Sequence, residues 1–227
     1  KGGVGKTTTA VNLGAYLASA GKRILLVDTD PQANATSSLG VDKNALGRSI
    51  YDMLIGVETA ASLIMVTSCP SLDLLPSSPA LAGAEVELVE MAGREVRLRH
   101  ALEPIRPRYD YVLIDTPPSL GMLTVNALTA ADGVLIPIQC EYLPLEGLTQ
   151  LLRTIDLVRQ SLNPSLIIRG LILTMFDART NLSRQVVEEI RQHFPSTAFR
   201  VVIPRSVKIS EAPSYGEPLT RFAPDSS

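Results

Sequence analysis

The sequence predicts an α/β fold: a mostly parallel, doubly wound sheet flanked by helices. Three observations carry that expectation. The chain opens on Lys1-Gly2-Gly3-Val4-Gly5-Lys6-Thr7-Thr8, a glycine-rich loop that runs directly into an amphipathic segment. Two short apolar runs, Arg23–Asp28 and Tyr109–Asp115, each end in an aspartate, as buried parallel strands leading into a site do. Strand-like and helix-like segments then alternate almost throughout, which puts helices on both faces of a parallel sheet.

The opening loop is spelled for anion binding. Glycines lack a Cβ, so Gly2, Gly3 and Gly5 allow a curl in which the N–H groups of Gly2 through Thr8 point inward at phosphate oxygens. The positive end of the following helix lies just behind them. Lys6 is placed to reach the β- and γ-phosphates of a nucleotide, and the Thr7 hydroxyl to hold Mg²⁺. The usual pattern has a further glycine five residues before Gly5, ahead of the first residue given, so only its last part can be read. The strand that feeds such a loop, and a closing C-terminal helix, are expected to lie outside the sequence. Residues 1–227 accordingly read as one domain of a longer chain.

Residues 7–20 form a helix with Ala10, Leu13, Leu17 and Ala18 on its apolar face, and Gly21 stops it. Arg23–Asp28 is a buried strand, followed by Asp28-Thr29-Asp30-Pro31-Gln32 at its carboxyl end, where ligands sit in open α/β sheets. Paired acids there are costly unless a cation or a reaction needs them. Residues 33–47, rich in Asn, Ser and Gly, read as a mobile loop. Ser49–Ile55 reads as a short helix and Leu72–Leu75 as a strand. Residues 80–91 and 94–105 read as helices whose charges, Glu85, Glu87, Glu90, Arg94, Arg97 and Arg99, form a solvated face. Tyr109–Asp115 runs into Thr116-Pro117-Pro118-Ser119. An apolar strand ending in Asp115 downstream of a phosphate loop has the form of a Walker B segment, whose aspartate organises Mg²⁺. Leu120–Ala131, residues 146–162 and Leu182–Phe194 are helices, while 133–138, 166–175 and 199–203 are strands.

Composition narrows the class. With 227 residues and 45% hydrophobic content the chain can bury a full core. Charged residues make up 19% without a charge block, against general disorder. No apolar run reaches the roughly 18 residues of a membrane span. Cys69 and Cys140 lie far apart and read as neutral thiols in a reducing cytoplasm. Residues 169–221 carry eight Lys or Arg against five Asp or Glu, whereas residues 1–168 carry 13 against 17. A net charge of −2 excludes an all-over nucleic-acid binder but leaves room for a local basic face.

The lysine ahead of Gly-Gly-x-Gly-Lys-Thr resembles the deviant Walker A box of the ParA/MinD group of P-loop NTPases. Further stretches extend the resemblance along the chain, namely LLVDTDPQANAT, LAGAEVELV, YDYVLIDTPPSLG, QCEYLPLEGL, LTMFDARTNL and IPRSVKISEAPSYG. The whole is similar to the small Soj-type ParA chromosome-partitioning ATPases. The resemblance implies an ATP-bound homodimer that binds double-stranded DNA without sequence preference, slow ATP hydrolysis with Mg²⁺, and stimulation by a ParB-type partner. It implies a cytoplasmic, nucleoid-associated protein with no stable membrane association.

Residue by residue, the resemblance makes Lys1 the signature lysine that reaches the partner's nucleotide. Lys6 becomes the phosphate-loop lysine, Thr7 the Mg²⁺ ligand and Asp30 the group that positions water, with Asp28 and Asp115 near the metal. Pro204 and Ser206 fall where the family touches the base, although Ser206 replaces a usual Asn. Arg179 and Lys208 match DNA-binding positions, the second more usually Arg. Ala33 replaces a usual Gly, which matters if its φ is positive. A MinD-like membrane-cycling ATPase shares the nucleotide site and is the main alternative. An iron–sulfur reductase would need cluster cysteines that Cys69 and Cys140 do not resemble. A module that merely retains the fold would not need Lys1, Lys6, Thr7, Asp30 and Asp115 together.

Overall fold

A computed structural model describes residues 2–141 and 145–226 of the chain. Helix α1 (Lys6–Ser19) stops where the sequence said it should: Gly21 takes φ 82° and its N–H closes on the Ala18 carbonyl. Its buried stripe is Val11, Gly14, Ala15 and Ala18, so of the expected apolar face Ala18 alone is fully covered and the leucines flank the contact. The small residues set this rotation. A Cβ on Gly14 would already stand 3.3 Å from Leu72 Cδ1, so the helix lies close against the strands beneath it.

Those strands form the first sheet, in the order β2-β3-β1-β4. Strand β1 (Ile24–Asp28) is buried along its whole length and pairs in parallel with β3 (Leu72–Leu75) and β4 (Tyr111–Asp115). The short β2 (Met65–Val66), which the sequence reading missed, adds an antiparallel edge to β3. Alternation along β1 feeds two cores. Ile24 and Leu26 pack with Val11 and Ala15 of α1 and Ala35 of α2 (Asn34–Ser38). Leu25 and Val27 point the other way, toward α3 (Ile50–Ile55), α4 (Ala60–Leu63), α5 (Leu81–Glu87), α6 (Arg97–Leu102) and α7 (Met122–Ala130).

The second sheet is all parallel, in the order β5-β6-β7 (Gly133–Gln139, Ile167–Phe176, Ala198–Pro204). It shares a core with α8 (Leu145–Ser161) and α9 (Asn181–His193), built on Ile138, Ile155, Leu171, Leu173, Val186 and Ile190. The expected single sheet is therefore two, because β4 and β5 do not hydrogen-bond to each other. Helix α1 spans the division, packing on β1, β4 and β5.

Three further expectations need correction. Residues 33–47 are not simply a loop, since they contain α2, with Ala35, Thr36 and Ser38 buried. The helices expected over 80–91 and 94–105 are shorter: α5 runs into a 3₁₀ turn (Leu88–Glu90), the left-handed Gly93 follows, α6 begins only at Arg97, and a separate 3₁₀ turn (Arg106–Arg108) lies beyond it. Glu85 does not belong to the solvated face, for its Oε1 is buried without a hydrogen-bond partner. That carboxylate lies against Gly121, where an added Cβ would collide with Oε1. The remaining chain forms α10 (Val207–Glu211), a 3₁₀ turn over Ala212–Tyr215 and α11 (Leu219–Phe222).

Candidate nucleotide site

The glycine-rich loop has the backbone its spelling requires. Gly3 and Gly5 sit at φ 78° and 88°, a region that side-chain-bearing residues reach only with strain. Gly5 caps α1, and neither a side-chain cap nor an acidic residue occupies the first turn. The helix therefore presents its N–H groups and the positive end of its dipole uncompensated, which is the arrangement that gathers an anion. The second sheet anchors the loop, as the Thr174 hydroxyl on β6 donates to the Val4 carbonyl at 2.9 Å. Gly2 and Thr8 flank this turn within the described residues, whereas Lys1 lies outside them.

Three acidic side chains collect beyond the carboxyl ends of β1 and β4, all buried: Asp28, Asp30 and Asp115. Parallel pairing sets Asp28 directly beside Asp115. The amide and hydroxyl of Thr29 both donate to the Asp115 carbonyl, at 2.9 and 2.6 Å, and lock that register. The Asp28 oxygens are engaged: Oδ1 accepts from the Asp30 amide at 3.1 Å, and Oδ2 from the Thr36 amide and hydroxyl. Asp115 is different. The Thr7 hydroxyl reaches its carboxyl group, yet Oδ2 has no hydrogen-bond partner among the described residues.

Burial dominates both acids. It pushes Asp115 up to about 7, the nearby Asp28 and Asp30 adding to the rise while Thr7 and the Lys6 ammonium oppose it. Burial lifts Asp28 to about 6, held back by the hydrogen bonds from Thr36 and Asp30. A buried carboxylate in this condition favours a proton or a cation. The oxygen donors Thr7 and Asp115 suit a hard ion such as Mg²⁺, which takes one or two protein ligands and completes its shell with phosphate and water. Among the described residues no three His, Cys, Asp or Glu side chains gather as a chelating cage. Of the predicted metal residues, Thr7 and Asp115 stand together, and Asp28 supports them as a structural strut.

Asp30 is held by its Oδ1, which accepts from the Gln32 amide at 2.9 Å, and by its carbonyl, which accepts from the Ser77 hydroxyl at 2.8 Å. Ser77 in turn donates its amide to Thr36 Oγ1 at 2.9 Å. Thr36, Ser77 and Thr174 are thus supports that the sequence reading missed; Thr36 was hidden in a stretch that reads as loop. Ala33, by contrast, was flagged with a condition that the backbone meets. Its φ of 50° and ψ of 43° are left-handed, so a glycine would sit there without strain.

A second part of the site opens beyond β6 and β7. Phe176, Asp177, Pro204 and Ser206 line a cavity of about 630 Å³ together with Arg179. Pro204 and Ser206, the expected base contacts, therefore share one wall system. Arg179 lies at its rim, 87% exposed, in an ion pair of 2.7 Å with Asp177. Lys208 is exposed on α10 close by. The structure brings the two predicted DNA-contacting cations to the same end of the second sheet as the cavity.

Comparison with known proteins now bears on this geometry. A family profile described as an AAA domain matches residues 1–168. The sporulation initiation inhibitor protein Soj of Bacillus subtilis is 55% identical over 226 residues, covering 100% of this chain and 89% of that protein. The chain belongs to the ParA/Soj family of chromosome-partitioning ATPases. The ParA chromosome-partitioning protein of Myxococcus xanthus is 56% identical over 222 residues, covering 98% of this chain and 78% of its own length. A crystal structure from Mycobacterium smegmatis, described as cobyrinic acid a,c-diamide synthase with bound ADP and magnesium, superposes with a TM-score of 0.87. It is 40% identical and covers 99% of this chain and 92% of that one. The α/β architecture is thus that of the ParA/Soj fold. Among the described residues, no helix of this ParA/Soj chain is long and apolar enough to cross a membrane.

Proposed function

We propose that this ParA/Soj chain binds ATP with Mg²⁺ and uses it to switch between a free state and a DNA-bound homodimer. The observation that carries the reading is the unpartnered Asp115 Oδ2, buried beside Thr7 under the uncapped start of α1. The loop amides of Gly2 through Thr8 cradle the phosphates, Lys6 neutralises their charge, and Thr7 and Asp115 face the metal. When bound, Mg²⁺ would be held by Thr7 and Asp115 and would supply neutralisation of phosphate charge. Asp30 orients the attacking water. A carboxylate beside phosphates is a weak base, so its contribution is positioning, and hydrolysis without a partner is slow. Lys1 neutralises phosphate charge on the partner subunit's nucleotide, and Pro204 and Ser206 hold the base.

Dimerisation aligns two modest basic faces, each containing Arg179 and Lys208. Such contacts go to DNA phosphates and are indifferent to sequence and strongly weakened by salt. A ParB-type partner accelerates hydrolysis and releases the DNA, which places the protein at the nucleoid. DNA retention on the full-length protein, measured with ATP, ADP and no nucleotide, tests the reading. We expect ATP-dependent retention that falls steeply between 50 and 200 mM salt on the order of the loss seen for multi-phosphate contacts. Equal retention under all three conditions would refute it.

A further inference from the structure

Asp177 faces two ways. Its carboxylate accepts Nε and Nη2 of Arg179 at 2.9 and 2.7 Å and also the Arg179 amide at 3.0 Å. The same residue lines the cavity that Pro204 and Ser206 also line. Arg179 holds the carboxyl group well below the usual carboxylate range, and Arg205 adds to this weakly. Arg205 is itself committed to Glu141 through an ion pair. Two of the cations at this end of the second sheet are therefore neutralised within the chain.

The cavity opens at the same end of the second sheet that holds the phosphate loop. Thr174 touches the loop at Val4, and Asp177 lies three residues further along the same chain, just past the carboxyl end of β6. A cavity at the carboxyl ends of β6 and β7, the end of the second sheet that also anchors the loop, suits the base of a nucleotide whose phosphates lie in that loop. Met175 takes the left-handed φ of 54°, and the β6–β7 register shifts between Leu173 and Phe176. Phe176 and Asp177, which follow this kink, both line the cavity. Base edges carry N–H donors, and a carboxylate on the cavity wall is an acceptor for them.

We infer that Asp177 masks Arg179, and that a nucleotide base engaging Asp177 from the cavity releases the guanidinium to DNA. The inference rests on the DNA-binding reading given above and adds a residue that couples the two sites within one subunit. An exposed ion pair is weak, of order a few-fold in an equilibrium constant, so the mask tunes DNA binding without abolishing it. The competing view is that Asp177 only shapes the turn ahead of α9 by accepting the Arg179 amide.

The test is DNA binding by the full-length protein, with and without ATP, for wild type, Asp177→Asn, Arg179→Ala and the double variant. Asparagine keeps an acceptor for the turn, and Asp177→Ser with a circular dichroism check guards against misfolding. We expect Asp177→Asn to raise nucleotide-free affinity about two- to fivefold and to shrink the gain from ATP. We also expect it to steepen the salt dependence by about one phosphate contact per subunit. In the Arg179→Ala background the substitution should do nothing. If it raises affinity equally there, Asp177 acts as a plain negative charge and the mask is refuted while the DNA reading stands. If Arg179→Ala leaves ATP-dependent retention unchanged, the assignment of Arg179 fails and the mask fails with it.

Discussion

Thr36 donates twice to one oxygen of Asp28, through its amide at 2.8 Å and its hydroxyl at 2.7 Å. Both residues are fully buried. The bonds tie α2 to the end of β1, and Thr36 Oγ1 also accepts the Ser77 amide, so one hydroxyl joins three segments around the acidic site. Asp28 is a keystone of the scaffold as well as the direct neighbour of Asp115.

Thr36→Val keeps the shape and removes both hydroxyl bonds, leaving a buried carboxylate oxygen and a buried amide short of a partner. The expected loss is about 2–4 kcal/mol of unfolding free energy. Thr36→Ser should recover most of it. Urea denaturation of the ligand-free protein measures both, and equal stabilities for the valine variant and wild type would contradict the account.

Asp115 sets an unusual pH response. Its folded value, raised to about 7, lies above the ordinary aspartate value of 3.8, and Asp28 is raised to about 6. The folded state thus binds more protons than the unfolded state between these limits. Stability of the ligand-free protein is present in full below the ordinary value and lost as pH rises through the folded values. Lowering the pH from roughly 8 to 5.5 should therefore raise the melting temperature. Asp115→Asn should flatten that dependence and stabilise the ligand-free protein near pH 8. The same substitution should abolish the added stability from ATP with Mg²⁺, which a thermal-shift series would register.

Asp30→Ala should leave ATP binding largely intact and slow hydrolysis by about 100-fold or more, trapping the protein on DNA. Steady-state phosphate release and DNA retention read the two halves separately. Normal turnover in this variant would remove Asp30 from its role with water.

Gly216→Ala probes a backbone contact. Gly216 takes φ 67°, and a Cβ there would stand 2.7 Å from the Gly40 Cα. A flexible side chain could move aside, but a main chain cannot, so the expected cost is about 2 kcal/mol. Gly40 sits just past Leu39, the C-cap of α2, and donates its amide to the Ser37 carbonyl at 3.0 Å, hence the damage should reach the Thr36–Asp28 bonds. Weaker nucleotide binding alongside the stability loss is the expected signature, read by calorimetry.

Legibility in the sequence followed locality. The phosphate loop was readable because glycine spacing and the Lys6-Thr7 pair are consecutive. Strands β1 and β4 were readable because apolar runs ending in Asp28 and Asp115 need no partner to be seen. What was hidden depends on distant segments meeting. Thr36 looks like one more polar residue until β1 sets Asp28 beneath it, and Glu85 looks solvated until α7 covers it. The division between β4 and β5 is likewise invisible to periodicity, which reports strands but not who pairs with whom.

The Thr174–Val4 hydrogen bond has a mechanical consequence. The loop is hung from the second sheet, while the helix it feeds leans mainly on the first. A triphosphate seated in that loop would act as a rivet through both halves. Occupancy should then merge their melting into a single sharper event, and departure of the ligand should let each half loosen at its own temperature.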